Sequence, residues 1–132
     1  MAVIKTNAGK VKRLKAYQGK IAALPKITHA VVGDGGKEQN GKLKVPTSNM
    51  TQLYNQLLKV PIKYEDINDF SCKFICALDS NTQAAILGKD INEIGLVDSE
   101  GTLITIETFN LFSHEGFPPN SQVNLKTQLT VE

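Results

Sequence analysis

Three sets of residues have side chains that could do chemistry. The first is Gly36-Lys-Glu-Gln-Asn-Gly41-Lys42, which fits the opening Gly-x4-Gly-Lys of a phosphate-binding loop. Such a loop wraps backbone N–H groups around phosphates and needs Ser or Thr next, to hold magnesium. It also needs a helix starting at the lysine. Here Leu43 follows, and Pro46 stops a helix from running through. The stretch is expected to be a surface hairpin or loop. The second set is Cys72 and Cys76 with His29 and His114, four residues of metal-ligating type. Cys-x3-Cys suits a turn, but these cysteines fall in an alternating run that reads as a strand. At ~3.3 Å per residue their α-carbons lie about 13 Å apart, too far for a disulfide. Core thiols are expected, and no metal. The third is Glu93, a lone carboxylate among apolar residues. General acid–base work needs a partner acid, a histidine or a metal, and the sequence sets none beside it. Glu93 is expected to reach backbone amides or to pair with a lysine. No catalytic residue and no cofactor are assigned, and the chain is not expected to be an enzyme.

The elements that must position these groups follow from periodicity. Thr6-Asn7 can cap a helix, and Val11, Leu14, Tyr17 and Ile21 fall on one face of it. Lys10, Lys12, Arg13, Lys15 and Lys20 lie mainly off that face. Gly19 points to an end near Gln18 or a kink, and Pro25 ends any helix. Ile27–Gly33 alternates as a strand, closed by Gly33-Asp34-Gly35-Gly36. Thr47-Ser48-Asn49 can cap a second helix, in which Met50, Leu53, Tyr54, Leu57 and Leu58 form an i, i+3, i+4, i+7, i+8 stripe closed by Pro61. Val60, Ile62 and Tyr64 alternate as a strand. Phe70–Leu78 reads as another, with Phe70, Cys72, Phe74, Cys76 and Leu78 on one face. Ile91–Val97 and Thr102–Thr108 form a hairpin about Asp98-Ser99-Glu100-Gly101, which has the type I turn residues. Gly95 within it predicts a bulge or a close approach by another segment. A loop over Asn110–Ser121 and a last strand over Gln122–Val131 complete the reading. That last strand is expected at a sheet edge, where it could pair with a neighbouring subunit. The expected fold is α+β: a basic N-terminal helix, one amphipathic helix, and a mainly antiparallel sheet of about five to six strands.

The bulk numbers bound the rest. A chain of 132 residues is one domain by length, long enough to bury roughly two-thirds of its unfolded surface. With 41% hydrophobic and 21% charged residues it is a folding composition, and the absence of Trp makes the core aliphatic. No apolar run approaches the ~20 residues of a membrane-spanning helix, and no secretory signal is visible. The net charge of +2 hides an asymmetry. Residues 1–44 hold ten Lys/Arg against two acids, whereas residues 45–132 hold five lysines against eleven acids. The basic segment can be a solvated face, a docking surface for an acidic protein, or a nucleic-acid contact. The last lacks the interleaved aromatics of a stacking platform.

In order, the chain shows Thr6-Asn7-Ala8-Gly9 opening a helix, then Ile27-Thr28-His29-Ala30-Val31-Val32-Gly33-Asp34-Gly35-Gly36. Next come Thr51-x-Leu53-x-Asn55, and Glu93-Ile94-Gly95-Leu96-Val97-Asp98 with Gly101. This ordered set resembles the phage tail-collar fibre family, the N-terminal domain by which tail fibres join the baseplates of contractile tails and tail-derived bacteriocins. The resemblance covers nearly the whole chain. Its motif residues here are Thr28, His29, Gly33, Asp34, Gly35, Gly36, Glu93 and Gly95. It implies one domain over residues 1–132, with a basic helical arm at 1–24 and an α+β body at 26–132. It implies a virion structural protein, assembled in the bacterial cytoplasm, that attaches a tail fibre or adaptor to the baseplate. Its partners would be baseplate and tail-fibre proteins, met through Lys10, Lys12, Arg13, Lys15 and Lys20. A homo-oligomer, possibly a trimer, is the family's habit. No cofactor, nucleic acid or membrane span is implied. The alternative is a non-virion assembly chaperone or soluble binding module for tail proteins.

Overall fold

The computed structural model describes residues 3–79, 90–110 and 122–130. His114 and the loop expected beyond Asn110 lie outside the described residues. The elements are β1 (Ile4–Lys5), α1 (Asn7–Tyr17), β2 (Ile27–Gly33), β3 (Gln56–Asn68), β4 (Ser71–Asp79), β5 (Glu93–Asp98), β6 (Leu103–Thr108) and β7 (Gln122–Thr130). The seven strands form one sheet in the order β1-β6-β5-β2-β3-β4-β7, and every pairing is antiparallel. The fold is thus α+β in the coarse sense, but richer in sheet than expected.

The sheet curls until its ends meet. The Lys5 ammonium in β1 donates to the Thr130 carbonyl in β7 at 2.7 Å, and the Thr127 hydroxyl in β7 donates to the Glu107 carboxylate in β6 at 3.2 Å. Ala30, Val32, Val60, Cys76, Leu78, Ile91, Ile94, Leu96 and Leu125 form the main core. Burial of this many apolar side chains is the main drive to fold. A second cluster, Val31, Leu53, Val97, Leu103 and Ile106, lies against the alternate residues of the same strands. Because side chains alternate along a strand, β5 and the Ala30–Gly33 half of β2 are buried on both faces. Every residue of β5 is buried.

The expected amphipathic helix over Met50–Leu58 does not form. Residues 51–55 are irregular, and Gln56 onward is β3. Helical spacing of apolar residues was a coincidence of two other demands. Leu53 is a single anchor packed into the second cluster, while Leu58 and Val60 face Val32 and Ala30 across the β2–β3 ladder. Tertiary pairing overrode a weak local preference. Pro61, read as a helix stop, lies inside β3. Up to Pro61 the strand pairs with β2, and from Ile62 it pairs with β4. Proline has no N–H to give a ladder, so it sits where β3 changes partner.

Other expectations stand. Thr6 caps α1, its hydroxyl accepting from the Gly9 N–H at 3.1 Å. Gly19, at φ 73°, ends it: the Gly19 N–H donates to the Ala16 carbonyl and the Lys20 N–H to the Lys15 carbonyl. This is the left-handed close that glycine favours. Lys37 and Leu43 bridge in antiparallel fashion, so the phosphate-loop lookalike is a surface hairpin. Asp98–Gly101 makes the β5–β6 turn, with the Asp98 carboxylate accepting from the Glu100 and Thr102 N–H groups, both at 2.9 Å. β7 lies at a sheet edge. On β4, Cys76 is buried as expected, but Cys72, expected in the core as well, is only half-buried because it lies near the hairpin end opposite Asp66; both are free. Apolar surroundings push the Cys76 thiol up to about 12.

Candidate functional site

Three segments distant in sequence, Gly33–Gly36, Tyr54-Asn55 and Asn92-Glu93, meet at one place. The Glu93 side chain is fully buried. One carboxylate oxygen, Oε2, accepts from the Gly35 N–H at 2.8 Å and the Asn55 N–H at 2.9 Å; the other, Oε1, accepts from the Tyr54 N–H at 2.8 Å. Burying a carboxylate is costly unless such donors replace water, and here three do. Its neighbour Asn92 works alongside. Its side-chain carbonyl accepts from the Gly36 N–H at 2.7 Å, and its amide donates to the Asp34 carbonyl at 3.3 Å. The Asp34 carboxylate in turn accepts from the Asn55 side chain at 2.6 Å.

The glycines are explained by this packing. A Cβ on Gly33 would clash with the Asn55 carbonyl and come within 2.6 Å of the Glu93 carboxylate. On Gly35 it would meet the Asn55 nitrogen at 2.7 Å, and on Gly36 the Asn92 carbonyl at 2.6 Å. Gly95 carries the same signature on the outer face, where a Cβ would sit 2.6 Å from Leu103 and 3.3 Å from Leu53. Close approach by another segment is therefore the reason for this glycine. Of the motif residues, Thr28 and His29 stand apart. They lie further back on β2, where the Thr28 hydroxyl and the His29 Nδ1 are 2.9 Å apart. The chemistry of this junction is the clamping of loops. Both oxygens of Glu93 are occupied by backbone donors, and the residue has no exposed surface to offer a substrate. Tyr54 covers the junction from the Asn55 side. Its hydroxyl donates to the Val45 carbonyl at 3.2 Å, and the Lys44 ammonium lies 4.6 Å from its ring centre. Burial first, and then the Glu93 charge, raise the Tyr54 phenol above its ordinary value.

The basic helix offers the second arrangement. α1 packs on β6 through Thr6 and Gly9. The Thr6 hydroxyl donates to the Leu103 carbonyl at 2.6 Å, and Gly9 sits under Ile104. This orientation sends the apolar stripe outward: Val11, Leu14 and Tyr17 are all exposed, Tyr17 at 80%. α1 itself has no buried residue. Lys10, Lys15 and Lys20 are exposed too, while Arg13 is half-buried. Lys12 differs, because its ammonium binds Asp98 at 2.8 Å and Glu100 at 2.6 Å. Burial works to raise the Asp98 carboxyl, but the Lys12 ammonium and the Thr102 and Glu100 amides outweigh it and hold the group below the ordinary range. For Lys12, burial works downward and the two carboxylates win, so its pKa is raised. Four of the five expected docking cations are thus outward or partly so, and the fifth ties the helix to the β5–β6 turn. Beside α1 lies a cavity of about 180 Å³, lined by Ile27, Ile104 and Leu129 together with Lys10 and Arg13.

Sequence reading missed Asn55, Tyr54 and Asn92 as partners of the motif, and Asp98 and Glu100 as partners of Lys12. Asn55 was visible as the last residue of Thr-x-Leu-x-Asn, and Asn92 as the polar neighbour of Glu93. A third feature was also missed. The β3–β4 hairpin ends in a tip bearing exposed Tyr64, Ile67 and Phe70. Comparison with protein-family models, with curated proteins and with solved structures finds no match.

Proposed function

We propose that the chain is a structural component of a contractile phage tail or tail-like bacteriocin particle, attaching a tail fibre or adaptor to the baseplate. The ordered motifs support the tail reading. The observation that carries attachment is the outward face of α1, where Val11, Leu14 and Tyr17 lie among Lys10, Lys15 and Lys20 with no cover from the described chain. An exposed apolar patch ringed by charge is the pattern of a protein-binding surface. Its partner is acidic and has apolar side chains to set on the stripe. Homo-oligomers, trimers among them, are part of this reading, as is assembly in the bacterial cytoplasm before incorporation into the particle. The junction around Glu93 serves by holding the body rigid beneath that surface, and no reaction is assigned to it.

The test uses Lys10→Glu, Lys15→Glu and Lys20→Glu together. Lys12 is left alone because its ion pairs belong to the fold. The triple variant should melt like the parent yet be missing from purified tail particles by mass spectrometry and immunogold labelling. Normal incorporation would overturn docking through α1. Absence of the parent protein from mature particles would replace attachment with a non-virion role in tail assembly.

A further inference from the structure

The hairpin tip is the chemical complement of the helix face. Asn68 pairs with Ser71, leaving Asp69 and Phe70 as a two-residue loop, and the Phe70 N–H donates to the Asn68 side chain at 2.8 Å. Every residue from Lys63 to Phe70 is exposed. Between Tyr64 and Phe70 the tip carries Glu65, Asp66 and Asp69 and no cation. Tyr64 and Asp66 share one row of the strand and Glu65 the other, opposite Lys73, while Asp69 and Phe70 form the loop. The end of the hairpin thus presents Tyr64 and Phe70, the latter at 67% exposure, beside Asp66 and Asp69. α1 presents apolar side chains set among ammonium groups. Few monomeric surfaces carry two such patches, and these two are opposite in charge.

The patches also share one end of the molecule. Ser71, next to the tip, pairs with Thr130, and the Thr130 carbonyl accepts from Lys5, which leads into α1. Yet the tip does not fold over its own helix. Tyr64, Phe70, Leu14 and Tyr17 all stay exposed, and among the described residues the only ion pairs are those of Lys12. The hairpin pairs from Ile62 to Asp66 and, past an irregularity at Ile67, closes at Asn68 opposite Ser71.

We propose that the β3–β4 tip of one copy docks on the α1 face of a second copy of this chain. The inference rests on α1 being a docking surface and names the acidic, apolar partner that meets it. Tyr64 and Phe70 lie on the Val11–Leu14–Tyr17 stripe, while Asp66 and Asp69 meet the ammonium groups of Lys10, Lys15 and Lys20. The contact joins two different patches. Two copies about a two-fold axis satisfy it reciprocally, and a closed ring satisfies it in turn.

The experiment is sedimentation velocity and light scattering on the full chain, at high protein concentration and low salt. The mass should be a small multiple of the 14.4 kDa chain. The tip variant Asp66→Lys/Asp69→Lys should be monomeric with an unchanged melting temperature, its self-association weakened by about tenfold or more. The helix variant Lys10→Glu/Lys15→Glu/Lys20→Glu should also be monomeric. An equimolar mixture of the two variants should associate again, because each reversed patch then meets its complement. A monomeric parent, or variants whose mass matches an oligomeric parent, would overturn the proposal. If the parent is monomeric but the helix variant is still lost from particles, α1 docks on another protein. If the parent self-associates as described but the helix variant enters particles normally, self-docking stands and attachment through α1 falls.

Discussion

The Glu93 junction and the β3–β4 tip both carry carboxylates, and they behave as opposites. At the junction, both Glu93 carboxylate oxygens and the Gly35, Gly36, Tyr54 and Asn55 amides have partners inside the chain, and glycines let the backbones close to contact distance. At the tip, cross-strand pairing satisfies the backbone, but the side chains of Tyr64, Ile67 and Phe70 face outward with the acids between them. The first region has spent its interactions on the fold. The second leaves its side chains to solvent. The helix α1 falls between the two: Thr6, Gly9 and Lys12 hold it to the body, while Val11, Leu14 and Tyr17 are left over. In this chain an apolar residue marks the core only where the polar groups beside it are already satisfied internally.

Substitution tests the contrast most directly. Gly33→Ala forces a methyl group onto the Asn55 carbonyl and the Glu93 carboxylate, and Glu93→Gln sets an N–H donor against at least one N–H it should accept from. Each should cost about 3–5 kcal/mol in urea denaturation, since buried donors lose their acceptor. Tyr64→Ser and Phe70→Ser at the tip should stay within about 0.5 kcal/mol of the parent. Equal effects at the two sites would erase the distinction.

Thr6→Ala tests whether α1 belongs to the body. Thr6 is buried, caps Gly9 and donates to the Leu103 carbonyl, so its loss should cost about 1–2 kcal/mol. Amide exchange in residues 7–17 should quicken more than exchange in β5. Uniform quickening would mean that the helix and the strands open as one unit.

A smaller loss than that of the helix cap is expected at the ion pair of Lys12. Its pH dependence follows from two opposite shifts. The lowered Asp98 carboxyl contributes stability above its ordinary value of 3.8, and that contribution is lost as pH falls through the lower folded-state value. The raised Lys12 ammonium contributes below 10.5, and that contribution is lost as pH rises through its higher folded-state value. Between these limits Lys12→Ala should cost about 1 kcal/mol, because the Thr102 and Glu100 amides still hold Asp98. Melting curves of the parent and variant should converge at strongly acid pH. A constant gap down to that pH would show that Lys12 acts through packing alone.

Much of the fold could be read from residue order alone, and the failures have physical causes. The Thr6 cap, the Gly19 stop, the alternation of β2, β4 and β6, and the Asp98–Gly101 turn are decided within a few residues, where local sterics and hydrogen bonds dominate. The rejection of Gly36–Lys42 as a phosphate loop was equally local, resting on Leu43 and Pro46. Residues 50–58 failed because their apolar spacing serves two different partners, Leu53 beside Val97 and Leu58 opposite Val32. No local pattern separates that from a helix.

The junction was half legible. The sequence marked Glu93 and the glycines as unusual, and it offered the carboxylate backbone amides or a lysine as partners, but not which ones. By itself the sequence determined where the chain could turn, which segments alternate, where the positive charge gathers and which glycines had no ordinary role. Each of these depends on neighbours within reach of a few bonds. Only the tertiary structure decided that Glu93 closes onto Gly35, Tyr54 and Asn55. It also decided that α1 shows its apolar stripe to the outside, and that Lys12 turns to Asp98 while Lys10 and Lys15 stay outward. Those outcomes depend on which segments the closing sheet brings together, and pairing across tens of residues is set by the summed burial of the whole core rather than by any one stretch.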